Sequence, residues 1–328
     1  AGIASRGQSV VDTDPAELQQ VLAGNAAELA VGPYRVLEKL GQGGLSTVYK
    51  AVHCEHRNLV AIKIIRADVF ATPEGRKAFL QEVEAMARLD HPNIVQFCDA
   101  DQWEDTYFFA MEYVEGTDLG KLVRLSGPLP VAEACEFVRQ AALGLQHAHE
   151  RNLVHRDIKP VNLFLTQIQA PARNATELFA TRREARAPQR SLVKILDWGL
   201  ANVRAPATAA PGEDEPARCV VGTADYLSPE QARNANAADI RSDIYSLGCT
   251  LYYLLTGQAP FPDGTLMQKI LLHQTAEPRS LAEFRDDLPA GVAAIVQRMM
   301  AKRPEARFQT PASAAVAVLS YARPPTLP

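Results

Sequence analysis

The sequence lacks the features that mark membrane-spanning proteins and proteins that coat nucleic acid. It has no uninterrupted apolar run that approaches 18 residues, whereas a helix that spans a membrane needs about 20. Its net charge is −4, and a protein whose main role is to bind nucleic acid is usually strongly basic. We therefore expect a globular protein with no membrane segment in this chain and no nucleic-acid partner.

Cysteine is also scarce, and the cysteines are not arranged in pairs. No Cys-x-x-Cys motif is present, which argues against a zinc site or a disulfide framework and indicates free thiols in a reducing compartment. We expect a cytoplasmic location, either as a free protein or as the cytoplasmic domain of a longer, membrane-anchored protein. The five cysteines are Cys54, Cys98, Cys135, Cys219 and Cys249.

A Walker-type phosphate loop is absent, but a different glycine-rich turn is present. Residues 34–65 are predicted to form strands with tight turns, and Gly41, Gly43 and Gly44 lie between the first two. Glycines at such a turn let backbone N–H groups approach a polyphosphate that a Cβ would keep away. No Gly-Lys-Ser/Thr follows at the spacing of a P-loop, so this turn alone is a weak signal.

Lys63 strengthens the prediction of an anion-binding site. It ends the apolar segment Val60–Lys63, and a lysine at the end of a buried strand seldom occurs without a partner anion. A helix predicted over residues 74–90 carries Glu82 in register to pair with Lys63. Glu84 points elsewhere on that helix and is expected to be solvated.

The segment His155–Asn162 concentrates a carboxylate, two cations and an amide in eight residues. It follows an apolar helical pattern and precedes two predicted strands of a hairpin, at residues 163–165 and 193–196. The groups in this segment are those that handle phosphate, a metal ion and a proton. Asp197-Trp198-Gly199 comes directly after the second of these strands.

Apolar periodicity predicts the other elements of the chain. Residues 14–29 form a short amphipathic helix that we expect to pack on the surface of the main domain, after a mobile N-terminus. Further strands are predicted at residues 94–98 and 106–113. Further helices are predicted at residues 131–151, 239–256, 265–273, 289–300 and 311–321.

An unusual Arg-rich insertion separates the two strands of the predicted hairpin. It covers about residues 167–191, whereas a hairpin normally closes within a few residues. Loops of this length are usually functional or disordered. Two interpretations stay open: a solvated, tolerated loop, and a basic docking patch for an acidic partner or a phosphorylated tail.

Taken in order, these motifs resemble the eukaryotic-type protein kinase domain, from about residue 34 to residue 323. The segment Tyr226–Gln231 is similar to that of the bacterial Ser/Thr kinases. The resemblance implies an α+β, bilobed fold with a small β-rich N-lobe carrying one main helix and a larger, mostly α-helical C-lobe. The implied domains are an N-terminal extension (1–33), the N-lobe and hinge (34–114), the C-lobe (115–323, with the insertion) and a tail (324–328).

The resemblance also implies roles for individual residues. Asp157 would orient the substrate hydroxyl, and Lys159 would neutralise charge on the transferred phosphoryl group. Asn162 would serve the reaction and bind Mg²⁺ together with Asp197. Lys63, paired with Glu82, would hold the phosphates of ATP. The remaining ATP-binding residues would be Leu40, Gly41, Gly43, Val48, Ala61, the gatekeeper Met111, Glu112, Val114, Asp118 at the ribose, and Phe164.

Two further implied contacts belong to the framework of the fold. Asp243 would bond the backbone of the catalytic loop, and Glu230 would pair with Arg307. Thr223 would face the catalytic aspartate, as in Ser/Thr kinases.

The sequence departs from the family pattern at several positions. Ser46 replaces the third glycine of the glycine-rich turn, and its hydroxyl is placed to meet a phosphate. Trp198 replaces the usual phenylalanine and is expected to alter the balance between active and inactive packing. Arg156 indicates activation by an anion in the loop 200–222. We hypothesise that the acidic run Glu213–Glu215 substitutes there for phosphate; a solvated acidic loop is the alternative.

Three functions compete for this pattern. An active kinase would phosphorylate Ser and Thr of protein substrates, itself included. A pseudokinase would bind nucleotide as a signalling scaffold, but scaffolds usually lose one of four residues that are all present: Lys63, Asp157, Asn162 and Asp197. A small-molecule phosphotransferase is disfavoured because residues 223–230 resemble a platform for protein substrates.

Overall fold

The structure is a computed structural model, and it describes residues 30–43, 46–65, 73–103, 106–169, 189–198, 224–234 and 238–322. These residues belong to two compact units. The first contains residues 30–90 and 95–114, and the second contains residues 91–94 and those from 115 onward. Several predictions fall outside the described residues: the helix at 14–29, Thr223, the acidic run Glu213–Glu215 and the tail 324–328.

The first unit is a six-stranded antiparallel sheet with one helix. The strand order is β1-β2-β3-β4-β6-β5. Its elements are β1 (Ala30–Val31), β2 (Tyr34–Gln42), β3 (Ser46–His53), β4 (Leu59–Ile65), helix α1 (Pro73–Met86), β5 (Phe97–Trp103) and β6 (Thr106–Glu112).

A small apolar cluster holds this sheet together. Val31, Tyr34, Ile62 and Phe108 are all buried in it, and the Tyr34 ring meets Phe108 edge-on, with centroids 5.8 Å apart. Removing such side chains from water is the main force that stabilises a sheet face. Because β1 contributes Val31, the sheet begins at residue 30, four residues before the predicted start of the domain.

The strand predicted at residues 94–98 is wrong in its limits. The structure places it at Phe97–Trp103, paired with β6. The apolar residues that suggested the earlier start have other partners: Ile94 is buried and forms an isolated parallel bridge with Ile195. The true strand is polar because it lies at the edge of the sheet, where one side faces solvent.

The second unit is mainly helical. A three-stranded sheet, in the order β7-β8-β9, accompanies its helices, and together with the β-rich first unit it confirms the predicted α+β class. The elements are β7 (Thr117–Asp118), α2 (Leu119–Ser126), α3 (Val131–His149), β8 (Leu163–Gln169), β9 (Gln189–Ile195), α4 (Pro229–Arg233), α5 (Ile240–Thr256), α6 (Leu266–Thr275), α7 (Ala290–Met299) and α8 (Pro311–Leu319). Among the described residues, none of the helices combines the length and the apolar character that crossing a bilayer requires.

Helix α3 approaches strand β9 closely because Gly144 has no side chain. A Cβ at Gly144 would lie 2.9 Å from Ile195 Cδ1 and 3.0 Å from the backbone oxygen of Asn93. Two buried amides then fix the strand: Asn93 Nδ2 donates to Val193 O at 2.8 Å, and Val193 N donates to Gln140 Oε1 at 2.8 Å. Strand β9 leads directly into Asp197, so this packing sets the position of that carboxylate.

The predicted hairpin is confirmed, and its strands are longer than expected. Antiparallel pairing of β8 with β9 continues from Leu163 opposite Ile195 to Gln169 opposite Gln189. Residues 167–169 and 189–191 are therefore strand, although the sequence assigned them to the insertion. The rest of the insertion, residues 170–188, lies outside the described residues.

Candidate active site

The predicted catalytic loop, His155–Asn162, lies between α3 and β8 and ends in a single 3₁₀ turn over Pro160–Asn162. Lys159 Nζ donates to both carboxylate oxygens of Asp157, at 3.0 and 2.8 Å. Asn162 Nδ2 donates to Asp157 O at 2.8 Å and to Asp157 Oδ2 at 3.2 Å. The three predicted catalytic side chains are thus brought together, with the Asp157 side chain 29% exposed.

The backbone of this loop is bound by the side chain of Asp243 of helix α5. Its two carboxylate oxygens accept the N–H groups of His155 and Arg156, both at 2.7 Å. The predicted framework contact is therefore confirmed. Complete burial raises the pKa of Asp243, while the interactions with His155 and Arg156 act in the opposite direction. A buried carboxylate needs such donors to offset its lost hydration.

Asp197 is positioned beside the catalytic loop by its two neighbours. Leu196 N donates to Asn162 O at 2.9 Å, and Leu196 O lies 2.9 Å from His155 Nε2. On the other side, the buried Trp198 ring meets the His155 ring edge-on, with centroids 4.7 Å apart. Asp197 itself has a φ of 57°, a left-handed conformation that is uncommon for non-glycine residues and is concentrated at functional sites.

Glu230 and Arg307 form the second framework contact that the sequence predicted. Arg307 Nη1 and Nη2 donate to the two oxygens of Glu230 at 2.7 and 2.9 Å. Burial would raise the pKa of Glu230, but hydrogen bonds from Arg307 and Ser242 together lower it below its ordinary value. A bidentate pair of this kind fixes both partners in one geometry.

Sequence reasoning missed Ser242 and Gln231. Ser242 Oγ donates to Glu230 Oε1 at 2.6 Å, and Gln231 Nε2 donates to Arg156 O at 2.8 Å. One signal was available for Gln231: Ser228-Pro229-Glu230-Gln231 has the spacing of a capping box, which the structure forms at the start of α4. The bond to Arg156 joins residues 75 positions apart, and no local pattern reveals it.

In the first unit, four predicted nucleotide-site residues lie on one face of the sheet. Val48 is the partner of Lys63 across β3 and β4, and Ala61 is the partner of Met111 across β4 and β6. Because residues two apart in a strand share a face, Ala61 and Lys63 lie on the same side. Lys63 is only 5% exposed, with Nζ 5.7 Å from the centroid of the Phe109 ring.

The helix that carries Glu82 is confirmed, as α1. The Glu82 side chain lies outside what the structure describes, so its pairing with Lys63 stays a prediction.

The glycine-rich turn joins β2 to β3. Gly43 N donates to Ser46 O at 2.8 Å, and Leu40 is 44% exposed. A Cβ on Gly41 would meet nothing within 4 Å. Ser46 is 8% exposed as the first residue of β3, and its predicted contact with a phosphate stays a prediction.

The residues predicted around adenine and ribose fall in both units. In the first unit, Glu112 pairs with Gln96: Glu112 N donates to Gln96 O at 2.9 Å, and Gln96 N donates to Glu112 Oε1 at 2.8 Å. Val114 follows β6. In the second unit, Asp118 lies directly opposite Phe164 across β7 and β8. Asp118 also caps helix α2, because its Oδ1 accepts the Lys121 N–H at 2.7 Å.

The predicted site residues therefore fall into two groups, one in each unit. Within the second unit the structure brings together Asp157, Lys159 and Asn162, with Asp197 next to them along the backbone. Within the first unit it places Lys63 on one face with its predicted neighbours. The convergence of both groups on one nucleotide stays a prediction.

Comparison with known proteins agrees with this arrangement. A family model described as protein kinase domain matches residues 34–318. Serine/threonine-protein kinase PknB of Mycobacterium leprae is 34% identical over 283 residues, which is 85% of this chain and 41% of that protein. The chain thus spans about two fifths of the length of the curated relatives it matches.

Solved structures give the same result. The PknI kinase domain of Mycobacterium tuberculosis has a TM-score of 0.65 and 27% identity, and the match covers 91% of this chain and 100% of that one. A crystal structure of Rad53 (residues 1–466) in complex with AMP-PNP has a TM-score of 0.64 and 25% identity, covering 86% of this chain and 64% of that one. On its sequence and its fold, this chain belongs to the protein kinase domain family.

Proposed function

We propose that this chain is an ATP-dependent protein kinase that transfers the γ-phosphate of ATP to Ser and Thr hydroxyls of proteins. The observation that supports this best is the Asp157 cluster, in which Lys159 and Asn162 contact one partly exposed carboxylate. Phosphoryl transfer requires a group that aims the hydroxyl and cations that neutralise charge on the phosphate oxygens. One short loop supplies both.

In this proposal, Asp157 accepts the hydrogen of the substrate hydroxyl and orients its oxygen toward the γ-phosphorus. Lys159 contacts both Asp157 oxygens, so it lies within reach of the phosphoryl group that approaches the same hydroxyl. Its ammonium group stabilises the charge that develops on that group. Asn162 fixes Asp157 by donating to its backbone and its carboxylate.

ATP is the phosphate donor in this proposal. Lys63, the glycine-rich turn and the hinge residues Met111–Val114 would bind it. The family match and the AMP-PNP complex of Rad53, which contains an analogue of ATP, support this assignment. The placement of Lys63 also supports it, because Lys63 shares one face of the sheet with the predicted ATP-binding residues Val48, Ala61 and Met111.

The side chains around Asp157 fit a magnesium ion. Asn162 uses its Nδ2 to donate to Asp157, so its Oδ1 is the atom that remains to act as a ligand. Asp197 would supply a carboxylate, since its neighbour Leu196 is bonded to the backbone of Asn162, and Mg²⁺ prefers such hard oxygen ligands and keeps several waters. When bound, the ion neutralises charge on the phosphate oxygens. Asn162 and Asp197 are the residues that would hold it.

The proposal is tested by labelled ATP with magnesium and a generic protein substrate rich in Ser and Thr. We expect transfer to the substrate and to the chain itself, and Asp157→Asn should lower kcat by about 10³-fold, within the range for loss of one acid–base group. Asp286→Asn, on an exposed surface, is the matched control and should keep full activity.

The alternative function, a nucleotide-binding scaffold, predicts a different result. The wild-type chain would then bind ATP without transferring phosphate, and Asp157→Asn would change nothing. Phosphoamino-acid analysis of the product separates Ser and Thr from Tyr as acceptors.

A further inference from the structure

The side chain of Gln231 contacts two separate parts of the second unit. Its Oε1 lies 2.8 Å from Ser228 Oγ and 3.3 Å from Ser228 N, both of which donate to it. Its Nε2 donates to Arg156 O at 2.8 Å. Because the oxygen of the amide is occupied by donors from Ser228, the nitrogen faces the carbonyl of Arg156. The hydrogen-bond network thus fixes the orientation of the amide.

The peptide that Gln231 contacts is the one that leads into Asp157. On one edge of this peptide, Arg156 O accepts from Gln231 Nε2. On the other edge, Asp157 N donates to His155 Nδ1 at 3.2 Å. The preceding peptide is also fixed, because Arg156 N donates to Asp243 Oδ1 at 2.7 Å. Both peptide groups of Arg156 are therefore bound by side chains.

This binding matters because Arg156 has an unfavourable backbone conformation. Its φ is 67°, in the left-handed region that is unfavourable for a non-glycine residue and persists only where neighbours enforce it. Release of the Arg156 carbonyl would let this peptide turn toward a commoner conformation. The direction of the Asp157 side chain depends on that turn.

From these contacts we infer that Gln231 is a positioning residue that orients Asp157 through the peptide between Arg156 and Asp157. The inference rests on the proposed function and deepens it. Two adjacent residues of α4 and two adjacent residues of α5 take part in this network. Ser242 of α5 bonds Glu230 of α4. Their neighbours Asp243 and Gln231 each bond the backbone of Arg156. The start of α4 and the start of α5 thus jointly fix the catalytic loop.

The other explanation is that Gln231 only caps helix α4. Glutamate separates the two roles, since Glu at the third helical position satisfies a capping box as well as Gln does. Gln231→Glu keeps the acceptor for Ser228 but cannot donate to Arg156 O. Gln231→Met removes both contacts without adding charge. Gln268 offers a matched control, because it forms the same capping box with Thr265 on helix α6 and is exposed.

The experiment measures kcat, KM for ATP, KM for a peptide substrate and the unfolding temperature of Gln231→Glu, Gln231→Met, Gln268→Glu and Gln268→Met. We expect both Gln231 variants to lose about tenfold in kcat, the effect of one lost hydrogen bond at a site of fixed geometry, with both KM values within about twofold of wild type. The Gln268 variants should match wild type. Amide exchange of residues 155–157 should be faster in both Gln231 variants.

Three results would overturn the inference. The first is wild-type kcat in both Gln231 variants. The second is a loss of kcat that only tracks the folded fraction. The third is a loss confined to Gln231→Glu, which would indicate a charge effect. A wild-type chain that transfers no phosphate would instead refute the proposed function, and amide exchange at residues 155–157 would then still decide the role of Gln231.

Discussion

Two ion pairs of the second unit have nearly the same length and opposite surroundings. Lys159 lies 2.8 Å from Asp157, and Arg307 lies 2.7 Å from Glu230. The first pair is partly open, with side chains 17% and 29% exposed. In the second pair the Arg307 side chain is 0% exposed. Length alone therefore does not separate the residues proposed for the chemistry from those of the framework.

The difference lies in how completely each charged group is hydrogen-bonded. Besides Glu230, the guanidinium of Arg307 donates to three backbone oxygens, those of Arg241, Ala301 and Lys302. Such a group is fixed and cannot take a new ligand. Asp157 accepts from the ammonium of Lys159 and the side-chain amide of Asn162. It also keeps part of its surface open to a substrate hydroxyl. A charged group of the framework has its hydrogen-bonding capacity filled by backbone partners. A charged group proposed for the chemistry remains accessible to the substrate.

The largest expected effect is on stability, from Arg307→Met. This substitution removes the guanidinium donors from three backbone carbonyls and from the Glu230 carboxylate, which keeps the bond from Ser242 Oγ. Breaking a buried pair from one side costs about 3 to 5 kcal/mol. Urea unfolding should show this loss. The double variant Arg307→Met with Glu230→Met removes both charges and should recover part of the free energy of unfolding.

A loss below about 1 kcal/mol for Arg307→Met would contradict the comparison, since that is the size of an exposed pair. Arg303→Met is the matched control, because the ion pair of Arg303 with Glu305 is exposed and long, at 3.9 Å. It should unfold like wild type.

The two framework contacts were implied by the resemblance to the protein kinase family, and no local pattern of the sequence gives them. Asp243 lies in the first turn of α5, most of whose residues are buried, and Glu230 follows Ser228-Pro229. The sequence itself predicted most strands of the first unit from short apolar runs bounded by turn residues, of which the largely buried β4 is the clearest. The exception is β5, which is polar and lies at the sheet edge, so no apolar run marks its limits.

What the sequence did not reveal depends on contacts between distant segments. The hydrogen bonds of the Asn93 and Gln140 side chains to strand β9 join residues about 50 to 100 positions apart. The Gln231 bond to Arg156 is of the same kind. Such bonds follow from how helices and strands pack, and a local pattern records only that an amide is present. The left-handed φ of Arg156 and Asp197 is likewise imposed by packing.

A smaller effect is expected at His273, a buried histidine in the same framework. Its Nδ1 lies 2.8 Å from Tyr245 Oη. Burial, assisted by the nearby ammonium groups of Lys302 and Lys269, lowers the pKa of His273 to about 3, while the backbone of Asp225 acts in the opposite direction. In the unfolded chain its pKa returns to about 6.5. The unfolded state therefore binds a proton between these values that the folded state does not.

The sign follows from that difference in bound protons. The stability linked to the lowered pKa of His273 is fully present above pH 6.5. It is lost as the pH falls toward 3, so the free energy of unfolding declines on acidification. Between pH 7 and pH 5 the loss should be about 2 kcal/mol, from one pKa unit being worth about 1.4 kcal/mol. His273→Asn should show a shallower dependence over this range in urea titrations. An identical dependence in both proteins would mean that the pKa of His273 is the same in the folded and unfolded states.

The smallest effect on stability is expected from an exposed ion pair, Glu84 with Arg88. Glu84 of α1 and Arg88, two residues beyond the end of that helix, are 4.0 Å apart, and their side chains are 67% and 73% exposed. Glu84 is therefore solvated, as its position on the helix predicted. An exposed pair four residues apart contributes about 0.3 to 0.5 kcal/mol. Glu84→Gln should lower the free energy of unfolding by no more than this, and 1 M salt should remove the difference because it screens exposed charges. A loss as large as that of Arg307→Met would show that burial and backbone partners do not decide the strength of an ion pair in this protein.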